Sequence, residues 1–275
     1  MKKPYQLLFA CTVSGLASCT LFSCNRYYYQ PNSVNAPALS DAGDAHLVAN
    51  GSFGYDEIND TKSRTRVLNL QAAASPVNHL GIIAGYTNYN YHIRENPDPA
   101  SGSVNASAHL WELGVGGYYT AAENRRGMKL VTDIYAGLGT GGLKSDIAAD
   151  ATRYFLQPGI GLKGPYFDAF FNLRFSGVKY RNFDALGRDQ QYLRDKNLVN
   201  YQGERIDGQT YVFVEPGFTV RGGYRFIKCQ MQLTLSQALS NVDWNHNEAL
   251  FTVGIYFGLE ELIRMARTGT REELR

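Results

Sequence analysis

No stretch of about 20 consecutive apolar residues occurs in the 275-residue chain, so no helix of it is long and apolar enough to span a bilayer. Cysteine is scarce: Cys11, Cys19 and Cys24 fall in the first two dozen residues and only Cys229 lies in the body, which excludes a disulfide-stapled scaffold. Cys229 sits in an apolar alternation and reads as a small hydrophobe rather than a nucleophile. Charged residues make up 19% of the chain and the net charge is +2, so there is no electrostatic footprint for a nucleic-acid partner. The histidines, at positions 46, 79, 92, 109 and 246, do not pair at metal-ligand spacing, and neither a metal nor a cofactor is expected. Mean hydropathy is −0.30. That value does not argue against a membrane β-barrel, whose polar lumen and loops dilute its lipid-facing residues.

What is present begins with a leader. Lys2 and Lys3 precede an apolar, small-residue stretch from Leu7 to Phe22, the pattern of an export signal. Leu16-Ala17-Ser18-Cys19 and Leu21-Phe22-Ser23-Cys24 both look like a lipobox, at which the cysteine is acylated after cleavage. Cys19 has the better local match, whereas Cys24 borders the polar segment more naturally; an ordinary secretory signal with incidental cysteines is the alternative. Residues 1–24 are therefore read as signal peptide and lipobox, and residues 25–44, rich in Tyr, Asn, Pro and Ala, as an extended tether without a core pattern.

The body carries a run that occurs twice, Leu156-Gln157-Pro158-Gly159-Ile160-Gly161-Leu162 and Val214-Glu215-Pro216-Gly217-Phe218-Thr219-Val220. Apolar side chains alternate with polar ones or glycine, the period of a strand between two different environments. About ten such segments begin near Ala45, Thr65, His79, Ala108, Lys129, Ala151, Tyr166, Thr210, Phe226 and Ala249. Short connections alternate with longer ones, as the periplasmic turns and external loops of outer-membrane barrels do. An even strand number returns the C-terminus to the side of the N-terminal anchor. The predicted fold is all-β, an antiparallel up-and-down transmembrane barrel over residues 45–258, with a charged tail at 259–275 that forms at most a short helix. Trp111, Leu113, Val115 and Tyr119 face outward, as do Phe167, Phe171 and Phe175, and Phe251, Val253, Ile255 and Phe257. Tyr86, Tyr89, Tyr91, Tyr118, Tyr119 and Tyr154 are expected in an interfacial aromatic girdle, and Pro158 and Pro216 at bulges or bends. A soluble periplasmic barrel with its apolar faces turned inward around a hydrophobic ligand is the competing architecture.

The lumen side carries Glu112, Asp133, Asp168 and Glu215 against Arg153, Arg174, Arg221 and Lys228. A barrel of about ten strands has a narrow interior, and unpaired charge there is costly, so one interlocked ion-pair network in a filled lumen is expected. That argues for a structural, binding or narrow-transport role and against a wide pore. An enzyme is the alternative, with a rim site at Asp243 and His246, or Ser240 and His246, though sequence shows no partner within reach. The connection from Arg181 to Gln209 is long enough to be functional and could bind a surface ligand.

Tyr28-Tyr29-Gln30-Pro31-Asn32-Ser33-Val34-Asn35-Ala36-Pro37 with Ala42-Gly43-Asp44, then Leu70-Gln71-Ala72-Ala73-Ala74-Ser75-Pro76 with His79-Leu80-Gly81, and Phe155-Leu156-Gln157-Pro158-Gly159, resemble uncharacterised outer-membrane β-barrel lipoproteins of Bacteroidota-type bacteria. The resemblance implies a bacterial outer-membrane location, contact with outer-membrane lipid and passage through the barrel-assembly machinery. It favours Cys24 as the acylated residue, because the lipidated cysteine there lies a few residues before paired tyrosines. It brings no substrate or catalytic residue.

Overall fold

The computed structural model describes residues 28–58, 61–94, 104–200 and 203–260. Ten long strands follow one another antiparallel: β1 Ala45–Ile58, β2 Thr61–Val77, β3 Leu80–Arg94, β4 Val104–Glu123, β5 Lys129–Lys144, β6 Ala148–Lys163, β7 Phe167–Asp184, β8 Thr210–Tyr224, β9 Ile227–Leu235 and β11 Ala249–Gly258. The two-residue β10, Gln237–Ala238, continues β9 in the same register against β8. The largest differences from the expected starts are at β2 and β4, which begin at Thr61 and Val104 rather than near Thr65 and Ala108. β1 pairs with β11, so the sheet closes on itself. That closing seam holds six residue pairs, from His46↔Gly258 to Gly51↔Val253, whereas β2 pairs along the whole of β1, from Ala45↔Ala74 to Ile58↔Thr61.

The period of two in the sequence becomes two surfaces. Trp111 and Leu113 are 59% and 62% exposed, and Ile134, Leu138, Phe218, Val253 and Ile255 stand outward with them. Between them point Glu112, Asp133, Asn172, Arg174 and Thr219, all buried. A water-soluble barrel would have the opposite sense, because water would then face the charges and the core would be oily. This sense belongs to a barrel with lipid outside, and it overturns the soluble, hydrophobic-ligand alternative. The girdle expectation holds for Tyr86, which packs on Trp111, and for exposed Tyr119 and Tyr154. It fails for Tyr89, Tyr91 and Tyr118, whose strand parity turns them inward: Tyr118 is buried against Ser75, and Tyr89 and Tyr91 line an internal cavity.

One end carries only short turns, at residues 78–79, 124–128, 164–166 and 225–226. In the second of these, Gly127 takes φ +74 while the Asn124 carboxamide oxygen accepts from the Arg126 and Met128 N–H groups. The other end carries the connections at 95–103, 185–209 and 239–248, but also the brief ones at 59–60 and 145–147, so the expected strict alternation of lengths is not kept. Neither proline makes a bulge. The β6–β7 ladder skips Gln157 and Pro158 and resumes in the same register at Gly159, and the pairing of β8 with β9 and β10 skips Glu215 and Pro216 likewise. Each proline thus stands where the ladder lacks a donor, which is where its missing N–H costs least.

Candidate functional site

The expected tether is inside the barrel. Tyr28 and Tyr29 are held at the loop end, where the Tyr28 N–H donates to the Asn245 carbonyl and the Asn247 N–H to the Tyr29 carbonyl. From there the chain descends extended, and Asn32, Ser33, Val34, Asn35, Ala36, Ala38 and Leu39 are all buried. Ser40 and Asp41 reach the turn end, beside Lys129 and Lys163, and the chain turns back into β1 at Ala45. Residues 28–40 are a plug, which corrects the reading of 25–44 as a free tether. Short polar and small side chains suit a narrow charged lumen, and they leave no apolar period for a sequence argument to find.

An extended segment outside any ladder leaves its carbonyls without partners, and buried ones must be satisfied elsewhere. Here the barrel wall supplies side-chain donors. Tyr180 donates to the carbonyl of Tyr28 at 2.7 Å and Tyr89 to that of Pro31 at 2.8 Å. Gln71, Gln232 and Gln157 donate to the carbonyls of Ser33, Val34 and Asn35 at 2.8, 2.6 and 2.7 Å. Arg221 donates to the carbonyl of Ala36 at 2.7 Å. The sequence did not show that these glutamines and tyrosines face a plug: Tyr89 was expected in the outer girdle, and Gln71 and Gln157 stood only within longer motifs. Their signal was glutamine at lumen-facing positions of three separate strands, which has no purpose in a barrel wall until something lies against it.

The lumen charges form two clusters rather than the single expected network. Near mid-lumen, Arg153 pairs with Glu215 and lies 3.6 Å from Glu112, and Arg174 lies 3.3 Å from Glu112. Asn32 of the plug joins them: its amide donates to Glu112, and its carbonyl oxygen accepts from Arg153 and, at 3.1 Å, from Arg174. Tyr29 donates to Glu215 at 2.6 Å and stacks on Phe213 at 4.1 Å between ring centres. Toward the turn end, Asp168 takes Lys228 at 2.7 Å and Arg221 at 4.0 Å. Asp133 belongs to neither cluster; its Oδ1 is buried without a hydrogen-bond partner among the described residues. It sits beside Asn172 above Gly159, where any side chain would strike both. Arg153, Arg174 and Arg221 are each 1% exposed, so their pairing is what makes their burial possible.

The two mouths differ. At the loop end, Tyr28, Tyr29, Tyr89, Tyr91, His109, Tyr180 and Arg153 line an aromatic cavity of about 90 Å³. Over it, the 185–209 connection carries a short helix α1 (Gln190–Asp195) and packs Leu193, Leu198, Val199 and Ile206 with Ile147 and Trp244. At the turn end, Asp44 holds Lys163 at 2.7 Å, and Glu260 lies 3.8 Å from the same ammonium. Burial raises the Asp44 carboxyl, but the Lys163 charge and the Ser40 donors outweigh it and leave Asp44 below the usual carboxylate range. Burial pushes Glu260 up, and Lys163 offsets this only partly. Between the mouths, the space beside Asn32, Ser33 and Asn35 is about 10 Å³, room for about one water molecule at most.

The rim pairs considered from sequence are not assembled. Asp243 is exposed and its backbone carbonyl accepts from Asn197, Ser240 Oγ accepts from the Val212 N–H, and the His246 ring packs among Phe213 and Trp244. No hydrogen bond joins Asp243 or Ser240 to His246 among the described residues. Cys19, Cys24 and residues 261–275 lie outside the described residues.

Two solved barrels are similar to this one in architecture. The translocator domain of the autotransporter NalP from Neisseria meningitidis is 11% identical, covers 78% of this chain and 88% of its own, and has a TM-score of 0.42. The transport unit of the autotransporter AIDA-I from Escherichia coli is 10% identical, covers 94% of this chain and 99% of its own, and has a TM-score of 0.39. No protein-family model and no curated protein matches the chain.

Proposed function

We propose that this protein is a lipid-anchored outer-membrane barrel that its own N-terminal segment keeps closed, with a structural or binding role rather than a catalytic one. The observation that carries this reading is the plug: six of its backbone carbonyls are held by side chains of the wall. At about 1 kcal/mol net for a typical hydrogen bond, such a set resists thermal release. The acylated residue is Cys24 or Cys19, the partners are outer-membrane lipid and the barrel-assembly machinery, and a surface ligand is met by the long loops above the aromatic cavity.

Conductance across a planar bilayer tests the closure. The intact protein is expected to be electrically silent, and a Q71A/Q157A/Q232A variant to open intermittently. A steady open state in the intact protein would defeat the reading. Substituting Asp243 and His246 together is expected to leave ligand binding and growth unchanged, whereas loss of a hydrolytic activity would support a rim enzyme instead.

A further inference from the structure

We infer that the chain threads its own barrel from the outside inward, so that Cys24 is delivered to the cell surface and its acyl chains lie in the outer leaflet. The acyl part of this inference rests on the lipoprotein reading above; the threading does not.

The direction comes from contacts at three levels of the barrel. Tyr28 is tied to Asn245 and Asp146, both in loop-end connections. Asn32 to Ala36 occupy the lumen between wall donors on several strands. Ser40 and Asp41 meet Lys129 and Lys163 at the turn end. The chain therefore enters at the loops and leaves at the turns before β1 begins. Outer-membrane barrels place short turns in the periplasm and longer connections outside, and this barrel has no connection longer than five residues at one end, whereas the other end carries those at 95–103, 185–209 and 239–248.

Chain length then fixes where Cys24 can be. It precedes Tyr28 by four residues, a reach of about 14 Å when fully extended. A return to the periplasmic side would have to cross a hydrocarbon layer of about 30 Å. Nor does the lumen offer a second path at the level of Asn32, Ser33 and Asn35, where the space beside the plug is about 10 Å³. An ordinary lipoprotein anchor in the inner leaflet is out of reach. The expected sharing of one side by the anchor and the C-terminus is thereby reversed: β11 ends at the turn end, and the anchor leaves by the loop end.

Cysteines introduced one at a time into the full-length Cys229→Ser protein test this in cells of the native host, with labelling of the Cys229→Ser parent subtracted as the background from Cys11, Cys19 and Cys24. A membrane-impermeant maleimide is the probe, and labelling of the denatured protein sets the maximum. Asn241→Cys marks the loop end, Arg125→Cys the turn end, and Arg26→Cys the segment in question. Arg26→Cys and Asn241→Cys are expected to label on intact cells, at least tenfold above Arg125→Cys, which labels only after the outer membrane is permeabilised. If Arg26→Cys follows Arg125→Cys while Asn241→Cys labels, the threading is wrong. If Arg125→Cys labels and the other two do not, the barrel is inverted and the surface delivery is wrong. Metabolic labelling with an alkynyl fatty acid, lost in Cys24→Ser, supports the outer-leaflet anchor. External Arg26→Cys without fatty acid on Cys24 overturns the anchor alone and leaves the threading standing.

Discussion

Arg153 keeps almost no exposed surface, and the carboxylate of Glu215 is equally withdrawn. Removing one partner of such a pair strands a desolvated charge, which costs about 3–5 kcal/mol, so Glu215→Ala is expected to lower the temperature at which the unboiled gel mobility is lost by many degrees. The half-exposed pair Lys129–Asp41 is the control, since surface pairs contribute about 0–1 kcal/mol. Asp133 predicts the opposite sign. Its Oδ1 is buried with no partner among the described residues, so Asp133→Asn, which removes charge without changing size, should leave the barrel equally or more heat-resistant; a clear loss would mean that the carboxylate has an essential partner. Asp44 gives a pH test. Its folded-state value lies below the ordinary 3.8, so its contribution is fully present above the unfolded value and vanishes as pH falls through the still lower folded one. Wild type and Asp44→Asn should therefore differ in unfolding midpoint at pH 6, and the difference should shrink as denaturant titrations are repeated at pH values progressively below 3.8.

At the scale of elements, the strands were legible and the plug was not, for a physical reason. A strand between lipid and a polar lumen must alternate, and that alternation is written locally, as in Trp111-Glu112-Leu113-Gly114-Val115. The plug has no such constraint, because its hydrogen bonds come from residues up to 219 positions away, as between Ser33 and Thr252. The eight lumen charges were recognisable as inward-facing, yet the division of seven of them into two clusters, with Asp133 apart, depends on strand register and on Asn32, neither of which composition reveals. The repeated Pro-Gly run shows the same gap. Its polar members, Gln157 and Glu215, turn out to grip Asn35 and Tyr29 of the plug, and Gly217 leaves room for Val34, which an added Cβ would approach to 3.1 Å. Gly217→Val should therefore crowd the plug and raise bilayer conductance while the heat-modifiable barrel persists; a silent variant would show that Val34 can shift aside.

At the scale of the whole molecule, wall and filling belong to one chain, and neither is a separate domain. The filling enters at one mouth, crosses, and becomes the first strand of the wall that encloses it. The plug fills the lumen so that only about 10 Å³ is left beside Asn32, Ser33 and Asn35, and closing the wall around the chain avoids drawing it end-on through a finished ring. The wall can be opened most easily where its edge strands meet over six pairs, from His46 to Gly51 against Gly258 to Val253. The expected last step of assembly is therefore the closing of that short seam over a chain already inside, and a folding intermediate trapped just before it would be an open sheet wrapped around its own beginning.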